Sequence, residues 1–405
     1  MTVWNDSEFT RNLVQATWTA SITVQVHHNE RATGDPARSW LSAWAPRYFV
    51  GNDLRVLVLG CGEGWLERSL AELPYIARID ACDFAAEAVE RARAAAKDIP
   101  KIHYSVADLN TAVLEPGAYD VVLAHAVLHH IENLEHAFAQ IERAMRPDAT
   151  LILNEYVGPN RFQYSDDVLQ LINELLVCLP ETLRHGLIED RLYTRRDRPT
   201  VEQMLASDPT EAVRAEELIP FIAQRFEVLD RRDLGGTILQ HLLYDLAQNF
   251  RFDDPHERAY IELLCTIEAM LVDTGRIPSD FVLMAARKKG ARSVRYDRPL
   301  PARPEAARDT ERDPLRTHWR SAAVNTRGNP TLTPHHLRAL RVALLSTQTR
   351  RANLFAESKL WTAAERLRAR GTAQQWLDAR YRAYGDDPAI RALLAKACTL
   401  APHGG

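Results

Sequence analysis

Val56–Glu67 reads VLVLGCGEGWLE. A run of β-branched and leucine residues stops at three glycines spaced two apart, Gly60, Gly62 and Gly64, and a helix-compatible segment follows. The first part suits a parallel strand buried on both faces. The second suits a backbone that must come within van der Waals contact of a ligand, where any Cβ would collide. Nineteen residues after Gly64, the apolar stretch ARIDACDF carries Asp83 at its end. A carboxylate at the end of a second strand can accept hydrogen bonds from both hydroxyls of a ribose. Together these features describe a Rossmann-like pocket for an adenosine-containing cofactor.

A nicotinamide fold wants GxGxxG, with its third glycine packing a helix N-terminus beneath a pyrophosphate. Here the pattern is GxGxG, followed by Trp65 and Leu66, and a bulky indole does not suit tight docking of a pyrophosphate. Strand, turn and helix then repeat. AAEAVERARAAAK has helical spacing, and KIHYSVADLN reads as a third strand ending at Asp108-Leu109-Asn110. AYDVVLAHAVLHHI gives a fourth strand, Asp120 to Ala124, opening into a loop with His125, His129 and His130. NLEHAFAQIERAM is a helix closed by Arg146-Pro147-Asp148, and ATLILNEY a fifth strand. RFEVLDRRDLGG and SDFVLMAARKK read as an antiparallel sixth and seventh, separated by the helical TILQHLLYDLAQNF and ERAYIELLCTIEAMLVDTG. The fold expected is α/β: a Rossmann-like, seven-stranded, mostly parallel sheet with helices on both faces and a C-terminal α-helical appendage.

Residues 53–158 resemble the core of class I S-adenosylmethionine-dependent methyltransferases, through VLVLGCGEG, ACDF, VADLN, YDVVLAHAVLHHIEN and MRPDATLILNEY in order. The resemblance implies that Gly60, Cys61, Gly62 and Gly64 pass beneath the methionine part of S-adenosylmethionine. It implies that Asp83, with Phe84 beside it, holds the ribose, that Asp108 and Leu109 meet the adenine, and that the backbone around His125 borders the methionine end. The Cys61 thiol itself reads as a small packing group. Many members carry an acid two positions before the first glycine. This chain has Val58 there, so another residue, for instance from the N-terminal segment, is expected to take its place.

Methyl transfer is an in-line displacement at a sulfonium carbon, in which the enzyme mainly aligns donor and acceptor. A hydroxyl acceptor also needs its proton removed; an amine needs only a neutral lone pair. Candidate bases are His129, His130, Glu155 and His241. The histidine pair can equally cap a helix or fill the core, Glu155 can pair with Arg161 or hold a lid, and His241, on a helix after two glycines, reads as structural. Asn154, Glu155 and Tyr156 end the fifth strand, on the side where open α/β sheets bind ligands. Gly158-Pro159-Asn160 then forces a turn that puts Arg161, Phe162, Gln163 and Tyr164 near the pocket mouth. Ser165 or Asp166 can cap the helix that follows. The insertion over about 157–220 is the expected acceptor lid.

Residues 1–50 form an expected N-terminal helical cover, with Trp18, Trp40 and Trp44 as packing anchors and Asn29 and Arg31 as lid candidates. His27 and His28 lack a carboxylate or cysteine at ligand spacing, and no metal is expected. Residues 51–290 make the methyltransferase domain, 291–332 a proline- and arginine-rich linker, and 333–405 a helical region. Stripes at Leu337–Leu345, Leu360–Leu367 and Trp376–Tyr384 precede a helix beginning at Asp387-Pro388. These helices offer a surface for a homo-oligomer or a partner protein. A net charge of −4 over 405 residues argues against nucleic acid or a membrane as main partner. Five scattered cysteines without a CxxC, and no signal-peptide pattern, point to the cytoplasm.

The reading is an O-methyltransferase for a small polar acceptor such as a sugar, glycan end or glycosylated metabolite, in bacterial secondary or polysaccharide metabolism. Alternatives are a natural-product N- or O-methyltransferase acting on an amine or phenol, and a non-catalytic cofactor-binding scaffold.

Overall fold

The computed structural model describes residues 3–291 and 387–400. Its strands are β1 Leu54–Leu59, β2 Ile76–Asp83, β3 Ile102–Val106, β4 Tyr119–His125, β5 Met145–Tyr156, β6 Phe226–Gly235 and β7 Phe281–Lys288. They form one seven-stranded sheet in the order β3-β2-β1-β4-β5-β7-β6. Pairing is parallel from β3 across to β5, and β7 runs antiparallel to both β5 and β6. The order reverses between β1 and β4. In such sheets the crevice at the carboxyl ends of those two strands is where ligands bind.

Three helices precede β1: α1 Ser7–Ala16, α2 Ile22–Thr33 and α3 Trp40–Tyr48. α4 Trp65–Ala71, α5 Ala86–Ala95 and α6 Leu134–Ala144 are crossovers. α7 Asp166–Leu176, α8 Val201–Ser207 and α9 Leu218–Arg225 lie between β5 and β6. α10 Leu239–Leu243 and α11 Pro255–Asp273 precede β7, and α12 Pro388–Leu400 ends the described chain. The period of two in LRVLVL divides the core. Val56 and Val58 pack with Trp44, Tyr48, Leu66, Leu70 and Val89 on one face, while Leu57 and Leu59 meet Phe138, Ile141 and Ile222 on the other. A third cluster joins α7, α10, α11 and α12.

Two expectations needed adjustment. Arg146-Pro147-Asp148 belongs to β5 rather than to a helix end, as an irregularity where the pairing jumps from Tyr119↔Met145 to Val121↔Thr150. The helix expected over 237–250 stops at Leu243. Asp245 takes a left-handed φ of 58°, and its buried carboxylate accepts the N–H groups of Leu187, Ile188 and Glu189. Docking of that loop outweighs continuation of the helix. Ser165, rather than Asp166, caps α7 through the Val168 N–H.

α12 buries Ile390 and Leu393 in the third cluster and pairs Lys396 with Glu174 of α7. Residues 292–386, including the three expected helical stripes, lie outside the described residues. Among the described residues no helix is long and apolar enough to cross a membrane.

The turn after β6 hangs on one carboxylate. Glu268 of α11 is fully buried and accepts the N–H groups of Gly236 (2.9 Å), Ile238 (2.7 Å) and Leu239 (3.0 Å). A Cβ on Gly235 would lie 2.2 Å from one of its oxygens, and the φ there is +91°. Glu268→Ala should therefore leave three buried donors unmet and cost about 3–5 kcal/mol. Urea denaturation would measure it, and a loss under about 1 kcal/mol would contradict the assignment.

Candidate active site

The glycine loop joins β1 to α4. Gly60, Gly62 and Gly64 have φ of 68°, 49° and 77°, a region that side chains rarely adopt. A Cβ on Gly60 would lie 2.4 Å from Val127, and one on Gly64 would lie 2.3 Å from the Tyr104 hydroxyl. Protein packing, not only a ligand, therefore requires those two. Gly62 meets nothing within 4 Å and leaves open space beside the loop. Asp83, at the end of β2, fastens the loop: one oxygen accepts the Gly62 N–H at 2.9 Å and the other the Ala85 N–H at 2.9 Å. Burial raises its pKa. Phe84 is 42 % exposed beside it. Leu109 is buried, and exposed Asp108 accepts from the backbone and side chain of Asn110.

In place of an acid at Val58, a different one stands by the loop. Glu67 of α4 is fully buried, and neither carboxylate oxygen has a hydrogen-bond partner. Burial pushes its pKa up to about 8, with Asp83 adding to the rise. The Cys61 thiol is buried and driven upward by the same burial, which suits a packing group.

Beyond the carboxyl end of β4 the chain passes through Ala126, at a φ of 52°, into a short turn at Leu128–His130. Glu155 of β5 holds that turn. Its Oε1 accepts the N–H groups of Val127 and Leu128, both at 2.9 Å, and its Oε2 lies 2.8 Å from His129 Nδ1. The carboxylate accepts, so the His129 proton sits on Nδ1 and Nε2 presents a lone pair. That Nε2 faces Glu211 at 3.6 Å. Burial alone would depress the His129 pKa, but the bond to Glu155 and the charge of Glu211 outweigh it and the pKa is raised. Glu211 is itself raised by burial, partly countered by His129.

His130 stands alongside, the two rings 4.3 Å apart. Its Nδ1 lies 3.0 Å from the Thr210 hydroxyl, which donates to Asp208 at 2.7 Å. With that hydrogen spent, the hydroxyl accepts from Nδ1–H and the His130 Nε2 lone pair is also free. It points to Glu211 at 3.9 Å. Burial and the neighbouring His129 lower the His130 pKa.

The other residues expected at the site have varied placements. Asn154 pairs with His125 across β4 and β5, and its carbonyl accepts from Ala126. The half-buried His125 ring lies 5.8 Å from Trp40 and 5.4 Å from the half-exposed Trp65. Its Nδ1 has no hydrogen-bond partner, and burial lowers its pKa. Tyr156 is buried edge-on to Phe162 and bonds the Pro159 carbonyl. Arg161 holds the 208–212 loop, donating from its backbone to Ala212 and from its guanidinium to the Glu211 carbonyl. Gln163 ties the Arg161 and Pro199 carbonyls. Tyr164 is 2 % exposed within the third cluster. The His241 ring lies tilted against Tyr164 at 4.9 Å and meets the Asp197 carbonyl, its pKa lowered to about 4 by burial. The structure thus brings His129, His130 and Glu155 together. It sets Gln163, Tyr164 and His241 into the lid's own packing.

The N-terminal cover has a different working end from the one expected. Arg31 is occupied by the Asp233 carbonyl and the Asp273 carboxylate, and His28 packs edge-on against Trp18. Trp4 reaches the cluster instead: its indole N–H donates to Asp208 at 2.9 Å and its ring meets His130 edge-on at 5.2 Å. Neighbouring Asn5 binds the start and side of α5.

Residues 57–153 match the model of a methyltransferase domain. Over 188 residues the chain is 31 % identical to a malonyl-[acyl-carrier protein] O-methyltransferase of Halalkalibacterium halodurans, covering 46 % of this chain and 67 % of that one. The chain belongs to the class I S-adenosylmethionine-dependent methyltransferases. An uncharacterized methyltransferase of Mycobacterium tuberculosis is 35 % identical over 106 residues, 26 % of this chain and 52 % of that relative. A solved S-adenosylmethionine-dependent methyltransferase from Mesorhizobium loti matches 62 % of this chain and 97 % of its own, at 20 % identity and a TM-score of 0.38.

The cofactor of a class I methyltransferase supplies a sulfonium methyl group for displacement. The loop fits it: Gly62 leaves the space, and Asp83 and Phe84 stand at the rim. Asp83 would hold the ribose hydroxyls and Asp108 the adenine amino group, with the His125 backbone toward the methionine end.

Glu67, Asp208, Thr210 and Glu211 were not singled out from sequence. Glu67 sits at helical spacing within α4, and the other three lie in an aperiodic loop whose position depends on backbone bonds.

Asp83→Ala should weaken cofactor affinity by about 10–100-fold, the loss of one or two charged hydrogen bonds. Unchanged affinity by calorimetry would remove the ribose role. For Glu67 the folded pKa lies above the unfolded value of 4.5, so the folded state holds the extra proton. Stability should therefore fall as pH rises from about 4.5 to about 8 and level off above. Glu67→Gln should remove that slope and add on the order of 1–3 kcal/mol at pH 8. Denaturation at pH 5 and pH 8 with equal wild-type and variant slopes would refute it.

Proposed function

We propose that this methyltransferase transfers a methyl group to a hydroxyl oxygen of a small polar acceptor such as a sugar or a glycosylated metabolite, in the cytoplasm. The observation that carries the reading is the buried His129–Glu155 pair, 2.8 Å apart, whose free Nε2 faces Glu211 at 3.6 Å. An amine acceptor needs no such group, whereas a hydroxyl must lose a proton as its oxygen attacks. A base held by a buried carboxylate in one tautomer answers that need. Glu155 is a positioning residue in this reading, because its oxygens are taken by Val127, Leu128 and His129. Asp208, Thr210, Glu211 and Arg161 surround the pair with polar groups suited to a hydroxylated ligand. Phe162 and Tyr164 are packed within the lid, which leaves less support for a flat aromatic acceptor. The H. halodurans relative is also named for transfer to oxygen.

Labelled methyl transfer from S-adenosylmethionine to a panel of sugars, nucleotide sugars, amines and phenols tests the acceptor class. A labelled sugar is expected; label confined to amines or phenols would overturn the reading. With the acceptor found, His129→Ala should lower kcat by about 10²–10⁴-fold. Because the His129 pKa is raised, kcat should climb with pH through a value above the usual histidine range. Glu155→Gln should move that limb to lower pH, a shift that a purely structural role would not produce.

A further inference from the structure

We propose that His129, His130 and Glu211 form a binding site for one first-row divalent transition-metal ion. One ligand atom from each lies within 4.8 Å of the others. His129 Nε2 is 3.6 Å and His130 Nε2 is 3.9 Å from the two oxygens of Glu211. Ligand atoms about 2.0–2.2 Å from one tetrahedral ion stand about 3.3–3.6 Å apart, so a set spread over as much as 4.8 Å closes on one ion by drawing in by up to about an ångström.

A chance meeting of two histidines and an acid would not orient the rings. Here each imidazole has its Nδ1 proton committed to a separate acceptor: Glu155 for His129, and Thr210, backed by Asp208, for His130. That arrangement fixes the tautomer and turns both Nε2 lone pairs toward one point. It is the outer shell that metal-binding histidines characteristically carry. Two imidazoles and one carboxylate with further positions open suit zinc, iron(II) or cobalt(II) better than magnesium or calcium, which prefer all-oxygen shells.

Charge agrees with the geometry. Glu155, Asp208 and Glu211 bring three carboxylates to the cluster and Arg161 one guanidinium. Coordination displaces any proton from His129 Nε2, and with both imidazoles then neutral three negative charges against one positive leave two. A divalent ion balances them.

The backbone is set for the same end. Ala126, Arg161, Phe162 and Ala212 all have φ between 49° and 55°, in the region non-glycine residues avoid. The Val213 N–H is bound to the His129 carbonyl and the Arg161 N–H to the Ala212 carbonyl. Strain of this kind persists where surrounding bonds over-determine it, and it gathers at functional sites.

This inference rests on the reading of the same cluster and changes how its hydroxyl is activated. With the ion bound, the His129 Nε2 lone pair is a ligand rather than the base. The ion would hold the acceptor oxygen and lower the pKa of its hydroxyl, whose proton then leaves to water. The ligand geometry does not depend on which acceptor is used, so metal binding can be tested without any acceptor.

The test is titration of the chelator-treated full chain with Co2+ alone, read by its visible ligand-field bands, with S-adenosylmethionine affinity by calorimetry as the check on folding. One Co2+ per chain is expected, displaced by Zn2+. Glu211→Gln and His130→Asn should weaken binding by about 100-fold or more. Thr210→Val, which leaves the three ligands in place, should weaken it by about 10-fold. Cofactor affinity should hold in all three. Absence of Co2+ binding in the wild type would overturn the site, as would binding unchanged in Glu211→Gln and Thr210→Val. Failure of the metal test with sugar methylation intact would remove the ion and leave the His129 base.

Discussion

The carboxylate of Glu155 is the contact on which the site depends. It sits at the carboxyl end of β5, buried, and receives two backbone N–H groups and an imidazole N–H from the turn that follows β4. Three donors on one anion convert a loop into a fixed platform, since bonds to a charged acceptor are the stronger kind. The Val127 N–H bound there belongs to the residue whose side chain forbids a Cβ at Gly60. Glycine loop and histidine turn thus meet at Val127, with Asp83 fastening the first and Glu155 the second.

The methyltransferase core was legible because its signals are local. β1 alternates between the two faces of the sheet, the glycines follow at once, and Asp83 ends the next strand. A strand buried on both sides has few substitutes for a continuous apolar run, and a tight loop has few for glycine. Even there one reason differed: Gly60 and Gly64 answer to Val127 and Tyr104 in the protein itself.

The histidine cluster was only half legible. His129, His130 and Glu155 lie at strand ends, where fold class alone draws attention to them. Glu211 lies in a loop about eighty residues away in sequence, held by backbone bonds to His129 and Arg161. Asp208-Pro209 marks a turn there, but no hydrophobic period says where that turn docks, and its residue of positive φ is an alanine, Ala212, rather than a glycine. The break after α10 leaves no local mark in the sequence for a related reason. The helical pattern continues through it, and the reason to stop is an anion, Asp245, serving three distant amides.

The N-terminal strap joins two halves of the crevice that the sheet itself keeps apart. Trp4 leans on Asp208 and His130, while the next residue, Asn5, grips α5 beside the end of β2. Adjacent residues cannot move independently over such a span. Lifting the indole from the histidines pulls on the grip at α5, and loosening that grip frees the indole. A shift of the histidine turn is therefore felt at α5 through a single peptide link.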